Sequence, residues 1–160
     1  MLANAVLRPA LRTSLLRSRL ITATPCPLQY QRTMSSIQTI QTPNAPAAIG
    51  PYSQAVVANG FLYTAGQLGF DPKKMDFVAG GIKEQTEQAL KNLKAILEAA
   101  GTSVDKVVKT TIFLKDMNDF NAMNKEYTKA FGSARPARSA VQAARLPRDA
   151  LVEIEAVALV

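Results

Sequence analysis

Apolar residues recur at three- and four-residue spacing over residues 82–100, a pattern that predicts an amphipathic helix ending at Gly101. The positions on its apolar face are Ala89, Leu90, Leu93, Ile96 and Leu97. A second helix is predicted to run to Phe131, with Asn118 or Asp119 as its cap. Its inward positions are Phe120, Met123, Tyr127 and Phe131.

Short β-branched or alternating runs between turn residues predict six strands, at 37–42, 54–58, 61–65, 106–114, 137–144 and 151–159. The Asn59-Gly60 pair is typical of a tight hairpin between the second and third. In the fourth, alternation places Val108, Thr110, Ile112 and Leu114 on one side. Residues 71–81 are interpreted as a polar loop.

The order β-β-β-α-β-α-β-β, with unequal helices and an early hairpin, favours an α+β fold with two helices on one face of one sheet. The last strand is apolar on both faces: Val152, Ile154, Ala156 and Ala158 on one, and Leu151, Val157 and Leu159 on the other. Such a strand is normally buried on both sides, so an oligomer is predicted. Glu153 and Glu155 would lie at or near its interface.

Residues 1–34 contain no acidic residue and are rich in Leu, Ser, Thr and Arg, with arginines at Arg8, Arg12, Arg17, Arg19 and Arg32. This composition predicts a mitochondrial transit peptide, a matrix location and a domain over 35–160. Arginines scattered through the apolar part disfavour a secretory signal, and a disordered basic tail is the other alternative. No apolar run approaches the ~20 residues of a membrane span.

The formal charge of +7 belongs mostly to this leader. Residues 35–160 carry 14 basic and 12 acidic side chains, a net of +2, which is weak evidence for a nucleic-acid surface. The chain has no His, and its one Cys, Cys26, lies in the leader. The domain therefore cannot use a Cys–His or Ser–His nucleophile, a thiolate or histidine zinc site, or a disulfide.

Arg138 and the carboxylates of Glu153 and Glu155 are the candidate chemical groups. An arginine can bind a carboxylate through two parallel hydrogen bonds, and a buried glutamate can accept a proton from water. The alternative is a structural ion pair across a hairpin. The spacing does not separate Glu153 from Glu155.

Tyr52, after Gly-Pro, is interpreted as a hydroxyl donor or as a core aromatic residue. Gly66 ends a strand where the backbone can approach a ligand closely. The alternative is a glycine that ends the strand without any functional role. Arg145 and Arg148 are interpreted as solvated turn residues. No phosphate-binding glycine motif is present.

Several segments together resemble the RidA family (YjgF-type reactive-intermediate deaminases): AAIGPYSQA at 47–55, TAGQ at 64–67, VKTTIFLKD at 108–116 with MNDF at 117–120, PARS at 136–139 and EIEA at 153–156. The resemblance runs from about residue 37 to the C-terminus and excludes the leader. It implies a chorismate-mutase-like (bacillus-type) α+β fold and a homotrimer with sites between subunits.

The resemblance also implies hydrolysis of 2-imino acids (2-iminobutyrate and 2-iminopropionate, the latter the imine form of 2-aminoacrylate) to 2-oxo acids and ammonia. In mitochondria this would protect enzymes from these intermediates. An imine is already electrophilic, so no metal or cofactor is implied. By position, Arg138 matches the carboxylate-binding arginine and Glu153 the glutamate that orients water. Tyr52, Gly66 and Asn124 match residues lining the cleft.

Two positions depart from the family pattern. Many members have Ser where this chain has Ala65, and Cys where it has Ala140. Backbone contacts at both positions survive, so Ala140 stays a substrate-binding candidate beside Arg138. The rivals are a non-catalytic binding protein for 2-oxo acids, and RNA binding or cleavage. The low charge of the domain and the lack of interleaved basic and aromatic residues disfavour the RNA hypothesis.

Overall fold

The computed structural model describes residues 37–160, so the predicted transit peptide lies outside the described residues. Within these residues there are two α-helices, α1 (Ile82–Ala99) and α2 (Phe120–Phe131). The strands are β1 (Gln38–Ile40), β2 (Ala55–Ala58), β3 (Phe61–Thr64), β4 (Gln67–Leu68), β5 (Phe70–Asp71), β6 (Asp76–Phe77), β7 (Val107–Leu114), β8 (Ala137–Gln142) and β9 (Val152–Leu159).

One mixed sheet has the order β1-β2-β3-β9-β7-β8, and the short β4 also pairs with β9. The β7–β8 pair is parallel, because α2 carries the chain back across the sheet between them, and the other pairs are antiparallel. Strands β5 and β6 form a separate two-stranded ribbon. The predicted α+β fold is confirmed.

The core lies between this sheet and the two helices. Val152, Ile154 and Ala158 of β9 are fully buried there, as are Leu62 and Ile112 from the strands on either side. The predicted inner faces of the helices supply the remainder, including Leu93, Ile96, Leu97 and Met123. The helix periodicities and the alternation of β9 therefore selected these buried residues correctly.

Three local predictions are wrong in part. The alternation in β7 breaks at a β-bulge: Val107 points into the core, and Val108 is exposed. Asp119 stands at the predicted N-cap position of α2, but the expected side-chain cap is absent: a 3-10 turn precedes the helix, and Asp116 accepts the hydrogen bond from the Asn118 backbone N–H. Residues 71–81 are not a simple loop, since they contain most of the β5–β6 ribbon.

The face of the sheet opposite the helices, here called the open face, is partly apolar and only half-buried. Tyr63 and Val157 are paired there, and Val141 and Leu159 are 44% and 42% exposed. Glu155 lies among them, half-buried. In an isolated chain this surface is unusually apolar for solvent contact, as the pattern of β9 predicted.

Candidate active site

A β-bulge between β3 and β4 shapes the first half of the site. Tyr63 pairs with Val157, and the next pairing is Gln67 with Ile154, so one extra residue is accommodated before β4. The Thr64 hydroxyl accepts a hydrogen bond of 2.9 Å from the Ala156 N–H where the ladder is interrupted. The bulge thus presents the backbone of residues 65–66 beside β9.

Glu153 lies directly over Gly66. A Cβ on Gly66 would be 2.5 Å from Glu153 Cδ and closer still to Oε1, so a side chain at position 66 would push this carboxylate out of its place. Burial raises the pKa of the Glu153 carboxyl above its ordinary value, and the neighbouring Glu155 carboxylate raises it further. The structure therefore places at this point a carboxylate that accepts a proton more readily than an exposed one.

A cleft of about 370 Å³ opens in front of this carboxylate. Its lining includes Tyr52, Ala65, Gly66 and Glu153, and does not include Glu155. Tyr52 is 52% exposed, so its interpretation as a core aromatic residue is wrong. The larger apolar side chains of the lining include Ile49, Leu68, Phe70, Met75 and Pro147.

The buried Gln54 fixes the loop that forms one rim of this cleft. Its Oε1 accepts from the Thr42 N–H at 2.7 Å, and its Nε2 donates to the carbonyls of Thr42, Ala45 and Pro46 at 3.0, 3.2 and 2.8 Å. Its own carbonyl accepts from the Ala65 N–H at 2.9 Å. Sequence reasoning missed this role of Gln54, although the residue lies in the AAIGPYSQA segment at 47–55 that resembles the RidA family.

Arg138 lies in a second cleft, of about 470 Å³, together with Asn124, Tyr127 and Arg135. Its Cζ is 4.7 Å from the centroid of the Tyr127 ring and 5.6 Å from that of Phe120. These distances fit cation–π contacts that hold the guanidinium in place while leaving its N–H groups available for an anion.

Tyr127 is itself anchored from below. Its hydroxyl is 2.8 Å from Thr110 Oγ1, and its ring stacks on Phe131 at 4.2 Å. Burial raises the pKa of Tyr127, against smaller lowering effects of the Thr110 hydrogen bond and the Arg138 charge, so the phenol remains neutral. The structure thus places the exposed Arg138 guanidinium on an aromatic ring that is itself held by neighbouring side chains.

Arg138 and Glu153 point to opposite faces of the sheet. Arg138 pairs with Thr110 and contacts the rings of α2, which covers the helix face. Glu153 alternates with the buried Val152 and Ile154, so its side chain is on the open face. The two candidate catalytic groups therefore do not meet within one chain.

The alternative of an ion pair across a hairpin is wrong for the same reason. β7 lies between β8 and β9, so these strands are not neighbours. Within residues 37–160, neither Arg138 nor Glu153 forms an ion pair. The candidate site consists of two halves, with Tyr52, Gly66 and Glu153 in one and Asn124 and Arg138 in the other.

Ala140 lies two residues beyond Arg138 on β8 and packs partly against the core, beside Ile112. Its side chain is therefore turned inward, and any contact with a ligand would use its backbone. Within the described part of the chain, no cluster of three or more Cys, His, Asp or Glu side chains could bind a metal, and no helix is long and apolar enough to cross a membrane.

Replacing Glu153 by Gln should raise the melting temperature at neutral pH. Because the folded-state pKa of Glu153 is raised, the folded chain binds this proton more tightly than the unfolded chain, and stability falls as pH rises from the unfolded pKa through the folded one. The gain in Glu153→Gln should therefore be present near pH 7 and vanish near pH 4 in thermal melts. Glu98→Gln, an exposed position, is the control. A gain independent of pH would contradict this origin.

The comparisons with known proteins identify the family of this chain. A family model described as Endoribonuclease L-PSP matches residues 42–160. A RutC family protein of Pyrococcus horikoshii is 57% identical over 121 residues, covering 76% of this chain and 96% of that protein. A mouse protein named 2-iminobutanoate/2-iminopropanoate deaminase is 53% identical over 128 residues, covering 79% of this chain and 95% of its own length.

The fold comparison gives the same result. The crystal structure of RidA from an Antarctic Psychrobacter superposes with a TM-score of 0.74 at 48% identity, covering 77% of this chain and 99% of that one. The family model spans β2 through β9. The chain therefore belongs to the Endoribonuclease L-PSP family, which is the YjgF/RidA family that its motifs predicted.

Proposed function

We propose that this protein hydrolyses 2-imino acids, with 2-iminobutanoate and 2-iminopropanoate as the first substrates to test. The single observation that carries the proposal is the Glu153 carboxylate, with its raised pKa, seated over Gly66 in an open cleft. Relatives about 50% identical to this chain are named 2-iminobutanoate/2-iminopropanoate deaminase. The reaction converts the imino acid and one water into the 2-oxo acid and ammonia.

The proposed chemistry needs only the groups described. The Arg138 guanidinium binds the substrate carboxylate through two hydrogen bonds and thereby fixes the imine carbon. Glu153 accepts a proton from water as the water oxygen bonds to that carbon, and passes this proton to the imine nitrogen, which gives a carbinolamine. Glu153 then takes the proton of the carbinolamine hydroxyl and delivers it to the nitrogen, so that the C–N bond breaks and ammonia leaves as the carbonyl forms. The imine carbon is itself the electrophile, so the proposed steps require no metal or cofactor to activate the substrate.

We also propose that each working site contains two subunits, with Arg138 from one and Glu153 from the next. The proposal rests on the opposite directions of these side chains and on the apolar open face around Glu155 and Val157. A closed ring of three chains joined head to tail would bury that face and unite the halves. Sedimentation equilibrium should give the mass of three chains, and a monomer would contradict the proposal.

A coupled assay tests the activity directly. Threonine and a dehydratase generate 2-iminobutanoate in solution, and the formation of 2-oxobutanoate is followed with and without the protein. Acceleration above the spontaneous rate supports the deaminase. If a correctly assembled protein accelerates neither this imine nor the one derived from serine, the proposal fails.

Gly66→Ala should reduce turnover sharply while leaving the fold intact. The added Cβ would displace the Glu153 carboxylate, and a shift of about 1 Å in a catalytic group can cost roughly 100-fold in rate. We expect the loss mainly in kcat, because the Arg138 half is untouched. The control is Gly81→Ala, whose Cβ would meet nothing within 4 Å. Unchanged kcat in a folded Gly66→Ala protein would contradict the role of this contact.

The second candidate is a protein that binds 2-oxo acids without turnover. It is favoured by Ala65, which has no hydroxyl where the family pattern often has serine, so that no side-chain hydrogen bond to a ligand is available at this position. Ala65 lines the cleft beside Glu153. Calorimetry that detects 2-oxobutanoate binding in a protein without imine hydrolysis would support this candidate over the enzyme.

The description of the matching family model names an endoribonuclease. Residues 37–160 have a net charge of only +2, and Arg138 stands over aromatic rings in a cleft that it shares with one other basic residue, Arg135. This pattern does not resemble a surface for the phosphate backbone. RNA affinity that falls steeply with salt would reopen that possibility.

The mitochondrial location remains a proposal based on residues 1–34. Isolated mitochondria should import the full chain and shorten it near residue 34, which N-terminal sequencing of the imported product would locate. In the matrix, the proposed activity would protect enzymes from reactive imines. A chain that stays outside the organelle at full length would contradict this location.

A further inference from the structure

Arg148 makes a contact that its place in a surface turn did not predict. Its Nη1 donates to the Met75 carbonyl at 3.1 Å, and its Nη2 pairs with Asp76 Oδ1 at 3.2 Å. Its Cζ is 4.9 Å from the Phe70 ring centroid and 6.0 Å from that of Phe77. Arg148 is an exposed turn residue, as its sequence context indicated, and its guanidinium in addition joins the turn before β9 to the β5–β6 ribbon.

The ribbon depends on this contact more than a longer hairpin would. Only two residue pairs, Phe70 with Phe77 and Asp71 with Asp76, form its ladder, and it does not join the main sheet. An isolated two-stranded ribbon of this size is only marginally stable in water. Stacking on Phe70 and bonding to the turn, together with the Asn92 amide that donates to the Phe70 carbonyl at 2.9 Å, hold the ribbon in place beside the cleft.

The backbone on both sides of the contact is strained. Arg148 and Asp149 have φ values of 53° and 63°, and Met75 has a φ of 54°. Left-handed conformations are unfavourable for such residues and persist where surrounding contacts over-determine them. Asp149 is held by a two-pronged ion pair to Arg145 at 2.8 and 2.9 Å, which secures the turn that carries Arg148.

The ribbon forms the apolar wall of the cleft that contains Glu153. Phe70 and Met75 face the cleft from the ribbon, and Pro147 and Arg148 continue this wall from the turn. In the proposed reaction, the substrate carboxylate is bound by Arg138 and the imine carbon lies near Glu153. The remaining part of an imino acid is its side chain, and the apolar wall is the surface available to it.

We propose that Arg148 is a positioning residue that holds the β5–β6 ribbon as a specificity wall, so that the cleft favours imino acids with longer aliphatic side chains. This inference rests on the proposed deaminase function. Each methylene packed on the wall should raise kcat/KM about fourfold, the value expected for burying one CH₂ group. The ratio of kcat/KM between long and short imino acids therefore measures the contribution of the wall, whereas activity on the smallest imino acid does not.

The test compares three imino acids, 2-iminopropanoate, 2-iminobutanoate and 2-iminohexanoate. Each is formed in solution by an amino-acid oxidase from the amino acid with the same carbon skeleton. For the wild-type protein, kcat/KM should rise along this series. Arg148→Met should lose about tenfold on 2-iminohexanoate, mainly through KM, and change little on 2-iminopropanoate. Arg148→Lys should restore part of the gain, because it keeps the charge near Asp76 without the planar fork.

Two further variants keep the test decisive. Met75→Ala trims the wall without touching Arg148, and should flatten the series even if Arg148→Met does not fold. Lys74→Met removes a charge from an exposed position of the same ribbon, outside the cleft lining, and should leave the series unchanged. Hydrogen exchange should also quicken at the Met75 and Val78 amides in Arg148→Met, because they bond within the ribbon region.

The possible results separate the two proposals. If the wild-type protein hydrolyses none of the imines, the proposed function fails. If it hydrolyses them but shows no gain with side-chain length, or if Arg148→Met and Met75→Ala both keep the wild-type gain, the specificity wall is overturned while the deaminase stands.

Discussion

Arg138→Ala should lower kcat/KM for 2-iminobutanoate by roughly 100- to 10,000-fold. The substitution removes two charge-assisted hydrogen bonds to the substrate carboxylate, worth about 1.5–3 kcal/mol each. A loss of about 1.4 kcal/mol corresponds to tenfold in rate. The coupled assay with purified protein measures this loss directly, and KM and kcat should both change because the clamp also orients the imine.

Two arginine variants define the cause of that loss. Arg138→Lys keeps the charge without the planar fork, so its activity should lie between wild type and Arg138→Ala. Arg135→Ala removes a charge from the same cleft, where the Arg135 guanidinium already donates to the Gly132 and Ala134 carbonyls, and should remain within a few-fold of wild type. Arg138 is exposed, so all three proteins should fold. Full activity in Arg138→Ala would remove the arginine from the mechanism.

The elements of this fold could be predicted from local patterns because their periodicities are strong. The apolar face of α1 and the inward residues of β9 are the buried ones in the structure. The order of the strands could not be obtained in this way. β8 reaches β7 through a parallel crossover, and this places β7 between the strands of Arg138 and Glu153.

The site was predicted to the extent that its residues stand in recognisable segments. Arg138, Glu153, Gly66 and Tyr52 come from such segments, and the structure places each of them in one of two clefts. The contact of Arg148 with Met75 joins residues 73 positions apart, and no local pattern encodes it. Likewise, the preference for Glu153 over Glu155 depends on the bulge that brings Gly66 beneath it.

Mixing two inactive proteins should restore activity if each site is shared between subunits. Arg138→Ala retains the Glu153 half, and Glu153→Gln retains the Arg138 half, so a site is complete only where the intact halves face each other. In randomly assembled trimers made by co-expression, about one site in four should be complete, giving roughly a quarter of wild-type activity. A site contained within one chain would give no recovery.

A second mixture measures independently whether a complete site needs one chain or two. Wild-type protein co-assembled with the double variant Arg138→Ala, Glu153→Gln should retain about a quarter of its sites if each needs two chains, and about half if each needs one. The physical ground for the first outcome is that Arg138 stands on the helix face and Glu153 on the open face of the same sheet. Activity near half, together with no recovery in the first mixture, would place both groups in one subunit and overturn the shared site.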